Sequence, residues 1–242
     1  MDNYFDAIKE GQIVGMVEPT FYRNAKEVYE YFGSGIKLIF LVRNPIESTF
    51  SRFKMMLRGS IMAEAFYQKY DQFSLRMFDD YIDQNDRRSL AVSRYIDWIN
   101  EFRRYYSDDQ IKIVYFEELI KQTRTVMNEL LKFVESEYCY ESDLLPLVNE
   151  GNYVMADLES YRIARQYQER SLEYLHCSNN DIVSKNGCYS DRVKAYHELS
   201  KARKVYNVKI SEDQRERLKT YYFDSVRELE DCFHKDLSEL WF

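Results

Sequence analysis

Leu38-Ile39-Phe40-Leu41-Val42-Arg43-Asn44-Pro45, with Ser51 eight residues beyond Arg43, is the stretch that sets the fold of this chain. Five consecutive apolar residues, Ile39 and Val42 among them β-branched, suit a strand covered on both faces. The run ends on an arginine and passes directly into a helix. Asn44 can cap that helix, Pro45 takes its first position, and Glu47 falls where a capping box places its acid. The first amides of a helix lack intrahelical partners, and the helix dipole favours negative charge there. Arg43 adds a permanent cation whose planar fork matches phosphate oxygens. If the strand belongs to an open parallel sheet, ligands bind at its carboxyl end. The local chemistry points to an anion site, with phosphate the natural guest. The alternative is an arginine paired with a structural carboxylate at the strand end.

Outward from this segment, helices and strands alternate. On the amino-terminal side Met16-Val17 reads as a short strand ending on Glu18-Pro19, and Asn24, with Glu27 three residues on, caps a helix that Gly33 stops. On the other side a helix runs from Pro45 toward Leu57, and residues 61 to 106 read as largely helical. There Tyr95, Trp98, Ile99 and Phe102 recur at spacings of three and four. Asp108-Asp109 marks a turn, Ile111 to Phe116 a strand, and Arg124 to Glu135 a helix whose Met127, Leu130, Leu131 and Val134 face the core. Residues 140 to 207 are mixed, with helix around Met155 to Leu175 and a loop at Ser178-Asn179-Asn180-Asp181. Ser211 caps the final helix, Gln214 completes its box, and Leu218, Tyr222, Leu229 and Phe233 form its buried stripe. The class is α/β with a parallel sheet.

At 242 residues the chain can bury one full core, and 45% apolar content argues against disorder. We read 1–242 as a single domain: a core over 16–135, a variable helical and loop region over 136–210, and a terminal helix over 211–242. A net charge of −7 argues against a general nucleic-acid binder. One basic stretch, Arg192 to Lys209, sets Arg192, Lys194, Lys201, Arg203, Lys204 and Lys209 against Glu198, and reads either as a patch that helps hold an anionic ligand or as a solvated helix face. Arg87-Arg88 reads as a solvated turn. The 22 tyrosines suit amphipathic helix faces with a wet hydroxyl edge. Cys139, Cys177, Cys188 and Cys232 have no paired short spacing and the three histidines are scattered, so neither a metal site nor a disulfide is implied. Met1 to Gly15 has no basic start or apolar core of a signal peptide, and no apolar run approaches the roughly 20 residues of a membrane span.

Arg43-x-Pro45 followed by Ser51 resembles the 3′-phosphate-binding segment of sulfotransferases that use 3′-phosphoadenosine 5′-phosphosulfate (PAPS), with the carbohydrate and heparan-sulfate-type branch and its bacterial members most alike. Glu47 also matches that segment, whereas Ser48 stands where many relatives carry a second arginine. Ile111 to Leu119 is similar to the family's later strand, which closes on an acidic pair, here Glu117-Glu118, and Leu. Leu218 to Trp241, closing on Asp236-Leu237-Ser238-x-x-Trp241, resembles its terminal helix. The likeness covers Gly15 to about Val134, and Ser211 to Trp241 more loosely. It implies a parallel-sheet core of P-loop type with helical elaboration, PAPS as cosubstrate, and a hydroxyl acceptor such as a saccharide or small metabolite. Arg43 and Ser51 would hold the 3′-phosphate.

The family's first strand and its loop of the type Gly-x-x-Lys-(Ser/Gly)-Gly-Thr have no counterpart here. Gly33-Ser34-Gly35 ends a helix rather than opening one. The chain resembles a sulfotransferase without its first strand–loop–helix unit, so either it is shortened or its 5′ site is built another way. The family's base is a glutamate on a short strand before the helix leading to the arginine strand. Val17-Glu18-Pro19-Thr20-Phe21-Tyr22 occupies that place, which makes Glu18 the candidate base, although the neighbouring lysine is missing. His197 and His234 are the substitutes, and Ser93-Arg94-Tyr95 matches a segment lining the acceptor cleft in relatives. The lack of a membrane anchor fits a cytoplasmic, bacterial-type enzyme or an excised catalytic domain. The alternative function is an inactive relative that binds adenosine 3′,5′-bisphosphate or acts as a scaffold.

Overall fold

In the computed structural model residues 12–84, 90–144, 152–177 and 197–242 are described. In chain order the elements are α1 (Ala25–Phe32), β1 (Leu38–Val42), α2 (Pro45–Met56), α3 (Glu64–Tyr70), α4 (Arg76–Gln84), α5 (Tyr95–Arg103), β2 (Ile111–Tyr115), α6 (Phe116–Lys121), α7 (Thr123–Phe133), β3 (Tyr153–Met155), α8 (Leu158–Cys177), β4 (Lys204–Tyr206), α9 (Glu212–Phe233) and α10 (Ser238–Trp241). Two compact units divide them. One comprises Met1–Pro45, Arg94–Leu147 and Tyr222–Phe242; the other comprises Ile46–Ser93 and Val148–Tyr221.

The first unit is built on β1 and β2, which pair in parallel with Leu38 opposite Ile111 and Val42 opposite Tyr115. The fold is thus α/β with a parallel sheet, as the alternation of elements implies. Side chains alternate across a strand, so Leu38, Phe40 and Ile113 share one face. They pack with Ala25 and Val28 of α1, Phe102 of α5, and Tyr106. Phe40 sits edge-on to Trp98 and Phe102 at 5.0 and 5.2 Å. Gly33 closes α1 with φ 70°, a left-handed conformation that costs glycine nothing, and its N–H donates to the Tyr29 carbonyl at 2.8 Å.

Three expectations change here. β1 is covered on one face only: Ile39 and Leu41 are 45% and 53% exposed, because α1 and α5 both lie on the side of Leu38 and Phe40. Met16-Val17 is not a strand, and Val17 is 93% exposed. A strand needs a ladder partner for its backbone groups, and no described strand lies alongside it. The stripe of α7 is half-buried rather than core at Met127, Leu130, Leu131 and Val134.

In the second unit α2 buries Ile46, Phe50 and Phe53, whose ring meets Phe78 at 4.8 Å and Tyr81 at 5.2 Å on α4. Tyr67 of α3 stacks on Tyr161 of α8 at 4.9 Å. Its hydroxyl lies 2.7 Å from the Met155 carbonyl and 3.2 Å from that of Leu57. Burial first, and the nearby Asp157 charge second, push the Tyr67 phenol above its ordinary value, so it stays protonated and donating. Tyr67→Phe leaves the packing and strips the donor from two buried carbonyls; about 1 kcal/mol of stability is lost, read from a urea midpoint. β3 and β4 form an antiparallel pair, so Met155 ends a strand instead of opening the helix expected there. Gly59 (φ 135°) passes so close to α8 that a Cβ would stand 3.1 Å from the Ala164 backbone. The expected box at the start of α9 is present: Gln214 N–H donates to Ser211 Oγ (3.3 Å) and Ser211 N–H to Gln214 Oε1 (3.1 Å). The expected Ser178–Asp181 loop, Arg87-Arg88, Cys188, Arg192 and Lys194 lie outside the described residues.

Candidate active site

Arg43 follows β1 immediately, and one residue, Asn44, separates it from α2. Its half-buried guanidinium lies 4.9 Å from the centroid of the Phe116 ring, which steadies the cation without supplying an acceptor. Among the described residues it makes no hydrogen bond or ion pair, and no described carboxylate pairs with it. The acids nearest in sequence to Phe116 are committed elsewhere. Glu117 receives the Asn44 N–H at 2.8 Å through Oε1 and the Trp241 indole N–H at 3.1 Å through Oε2. Glu118 pairs with Lys235. Asn44 also donates its side-chain amide to the Trp241 carbonyl at 2.6 Å, so the terminal α10 is tied to the turn after Arg43. Glu47, in the first turn of α2, pairs with Arg215 at 2.6 Å.

Trp241 packs against Tyr95 and Tyr115, with centroids 6.2 and 6.1 Å away. Tyr95 is therefore a core residue. The Tyr115 hydroxyl is buried without a partner, and burial, aided by Glu118, pushes its phenol up to about 12. It is a neutral donor at any physiological pH.

Ser51 lies in the second turn of α2, half-buried, and its hydroxyl makes no hydrogen bond among the described residues. Arg43 belongs to the first unit and Ser51 to the second. Glu18 is fully exposed and accepts from Thr20 twice, from Oγ1 at 2.7 Å and from the backbone N–H at 2.9 Å. Those two hydrogen bonds, the hydroxyl's first, hold the carboxyl below the ordinary glutamate value. No hydrogen bond or ion pair joins Glu18 to Arg43.

Ser93 is buried and receives the Arg52 Nη2 donor at 3.0 Å, a contact that sequence reading missed. Nothing in the pattern of α2 marks Arg52, because its partner arrives 41 residues later in the chain. Three residues of the basic stretch are engaged in structure: Lys201 pairs with Glu198, Arg203 with Asp157 at 2.6 Å, and Lys204 covers the Tyr153 ring. His197 is exposed, and His234 lines a shallow charged depression with Arg227, Glu230, Lys235 and Asp236.

A family model described as "Sulfotransferase domain" matches residues 25–150. Among solved structures, the sulfotransferase from Alicyclobacillus acidocaldarius is similar at 16% identity and a TM-score of 0.48, the match covering 91% of this chain and 63% of that one. The present chain therefore spans less than two thirds of that protein's length. Comparison with curated protein sequences gives no match. No helix among the described residues is long and apolar enough to cross a membrane.

Proposed function

The chain belongs to the sulfotransferase domain family, and on that premise we propose that it binds PAPS and transfers its sulfuryl group to a hydroxyl of a saccharide or small metabolite. The observation that carries this reading is the half-buried guanidinium of Arg43 at the carboxyl end of a parallel strand, left without a carboxylate while Glu117 and Glu118 are engaged. An uncompensated cation at such a place suits an anionic ligand. Arg43 takes two oxygens of the 3′-phosphate through its fork, and Ser51 is a phosphate donor on the resemblance of its segment alone.

Transfer is in line. The acceptor oxygen forms its bond to sulfur as the bond from sulfur to the 5′-phosphate oxygen breaks, and adenosine 3′,5′-bisphosphate leaves. Little covalent work falls to the protein, so positioning and charge stabilisation carry most of the rate. Glu18 is the proposed base for the acceptor proton, which it takes through Oε2, since Thr20 holds only Oε1. Its lowered pKa fixes the sign of the pH dependence. Activity is full above that value and falls only as pH drops through it, below the ordinary glutamate range. A kcat/KM profile checks this, and an acid limb near the usual histidine value would move the base to His197 or His234.

Calorimetric titration with adenosine 3′,5′-bisphosphate tests the nucleotide site, and intact folded protein that does not bind would end this reading. A second reading is a relative that binds adenosine 3′,5′-bisphosphate without transferring a sulfuryl group. Labelled sulfate transfer across a panel of sugars separates the two.

A further inference from the structure

Arg52 is a cation without a counter-ion among the described residues. Its side chain is half-buried, yet no carboxylate of the described residues pairs with it. The only acid on α2, Glu47, is held by Arg215 at 2.6 Å. Of the five N–H donors in a guanidinium, only those on Nη2 find partners, the Ser93 hydroxyl at 3.0 Å and the Ser48 hydroxyl at 3.5 Å. The Nε donor is buried and has no partner at all. An orphaned donor of this kind costs about 1–3 kcal/mol, so the arrangement is not one that packing alone would select.

The surroundings orient the group. Ser48 and Arg52 are one helical turn apart, which brings the guanidinium back along α2 over Ser48. Ser93, 1% exposed, fixes its other side and itself lies 3.4 Å from Thr49 Oγ1. The serine oxygens accept from Arg52, and that of Ser93 also accepts from Thr49. The fork donors left over on Nε and Nη1, with no described carboxylate paired to them, form a recognition set for a tetrahedral or planar oxyanion.

We propose that Arg52, oriented by Ser93 and Ser48, is an anion-binding residue in its own right that takes a sulfate, phosphate or carboxylate group. The group comes either from the nucleotide or from an anionic acceptor. This extends the reading of the chain as a sulfotransferase but does not depend on Arg43 or Ser51, which contribute no atom to the cluster.

The test is a nuclear magnetic resonance titration of the full chain, labelled with nitrogen-15 arginine, following the Arg52 Nε–H signal assigned by its loss in Arg52→Lys. Saturable movement with adenosine 3′,5′-bisphosphate identifies a nucleotide phosphate as the guest. Movement with inorganic sulfate but not with the bisphosphate identifies an acceptor anion. A signal that stays fixed with both, to the solubility limit, overturns the proposal, whatever Arg43→Ala does to nucleotide affinity. In the matching affinity measurement Arg52→Gln weakens the responsive anion at least about tenfold, one lost charge-assisted hydrogen bond. Ser93→Ala, which keeps the charge and loosens its aim, gives a smaller loss in the same direction.

Discussion

Arg43→Ala is expected to weaken adenosine 3′,5′-bisphosphate by about 10²-fold or more while leaving the thermal transition nearly unchanged. The loss follows from two charge-assisted hydrogen bonds of about 1.5–3 kcal/mol each, of which part is recovered by water in the emptied site. Stability is spared because Arg43 makes no hydrogen bond or ion pair among the described residues; only its contact with Phe116 is lost. Arg43→Lys keeps the charge without the fork and recovers only part of the affinity. Ser51→Ala, a single neutral donor, costs about tenfold. Calorimetry on the three variants reads all of this. Equal affinity in wild type and Arg43→Ala would remove the basis of the proposed nucleotide site.

Glu117→Ala has the second large effect, and on stability first. One carboxylate accepts from the Asn44 backbone and from the Trp241 indole, so it holds the strand-to-helix turn and the chain terminus together. Hydrogen bonds to a charged group contribute about 1.5–3 kcal/mol each, and the partial exposure of Glu117 lowers the sum, giving an expected loss of about 2–4 kcal/mol in a urea titration. Bisphosphate affinity falls as well, by less than for Arg43→Ala, because the turn that presents the guanidinium is no longer pinned. Glu117→Gln retains an acceptor for one partner and lies between. A variant as stable as wild type would show that packing of Trp241 on Tyr95 and Tyr115 suffices without the carboxylate.

The α/β class and the Arg43 turn were legible because they rest on local signals. Five apolar residues, Pro45 after Asn44, and a glycine closing α1 each act within a few positions. The Ser211–Gln214 box was legible for the same reason. The uncovered face of β1 was not. An unbroken apolar run says that both faces are greasy, whereas which face is covered depends on where α1 and α5 come to lie. Met16-Val17 failed as a strand for a related reason, since a ladder needs a neighbour that no short window of sequence can supply. For Glu18, position in the sequence suggested a base, but the tie to Thr20 and the lowered pKa are properties of one turn of backbone.

By itself the sequence determined the strands β1 and β2 and the helices that flank them, the arginine closing β1, and its resemblance to a phosphate-binding segment, since propensity, capping and hydrophobic period are carried by neighbouring residues. Only the tertiary structure decided which charges stay uncompensated. Glu117 is drawn to Asn44 and Trp241, Glu118 to Lys235, and Glu47 to Arg215, across separations of 73 to 168 residues. Charge pairing is settled by distance in space, and a cation left over after that pairing is visible only once every acid has found its partner.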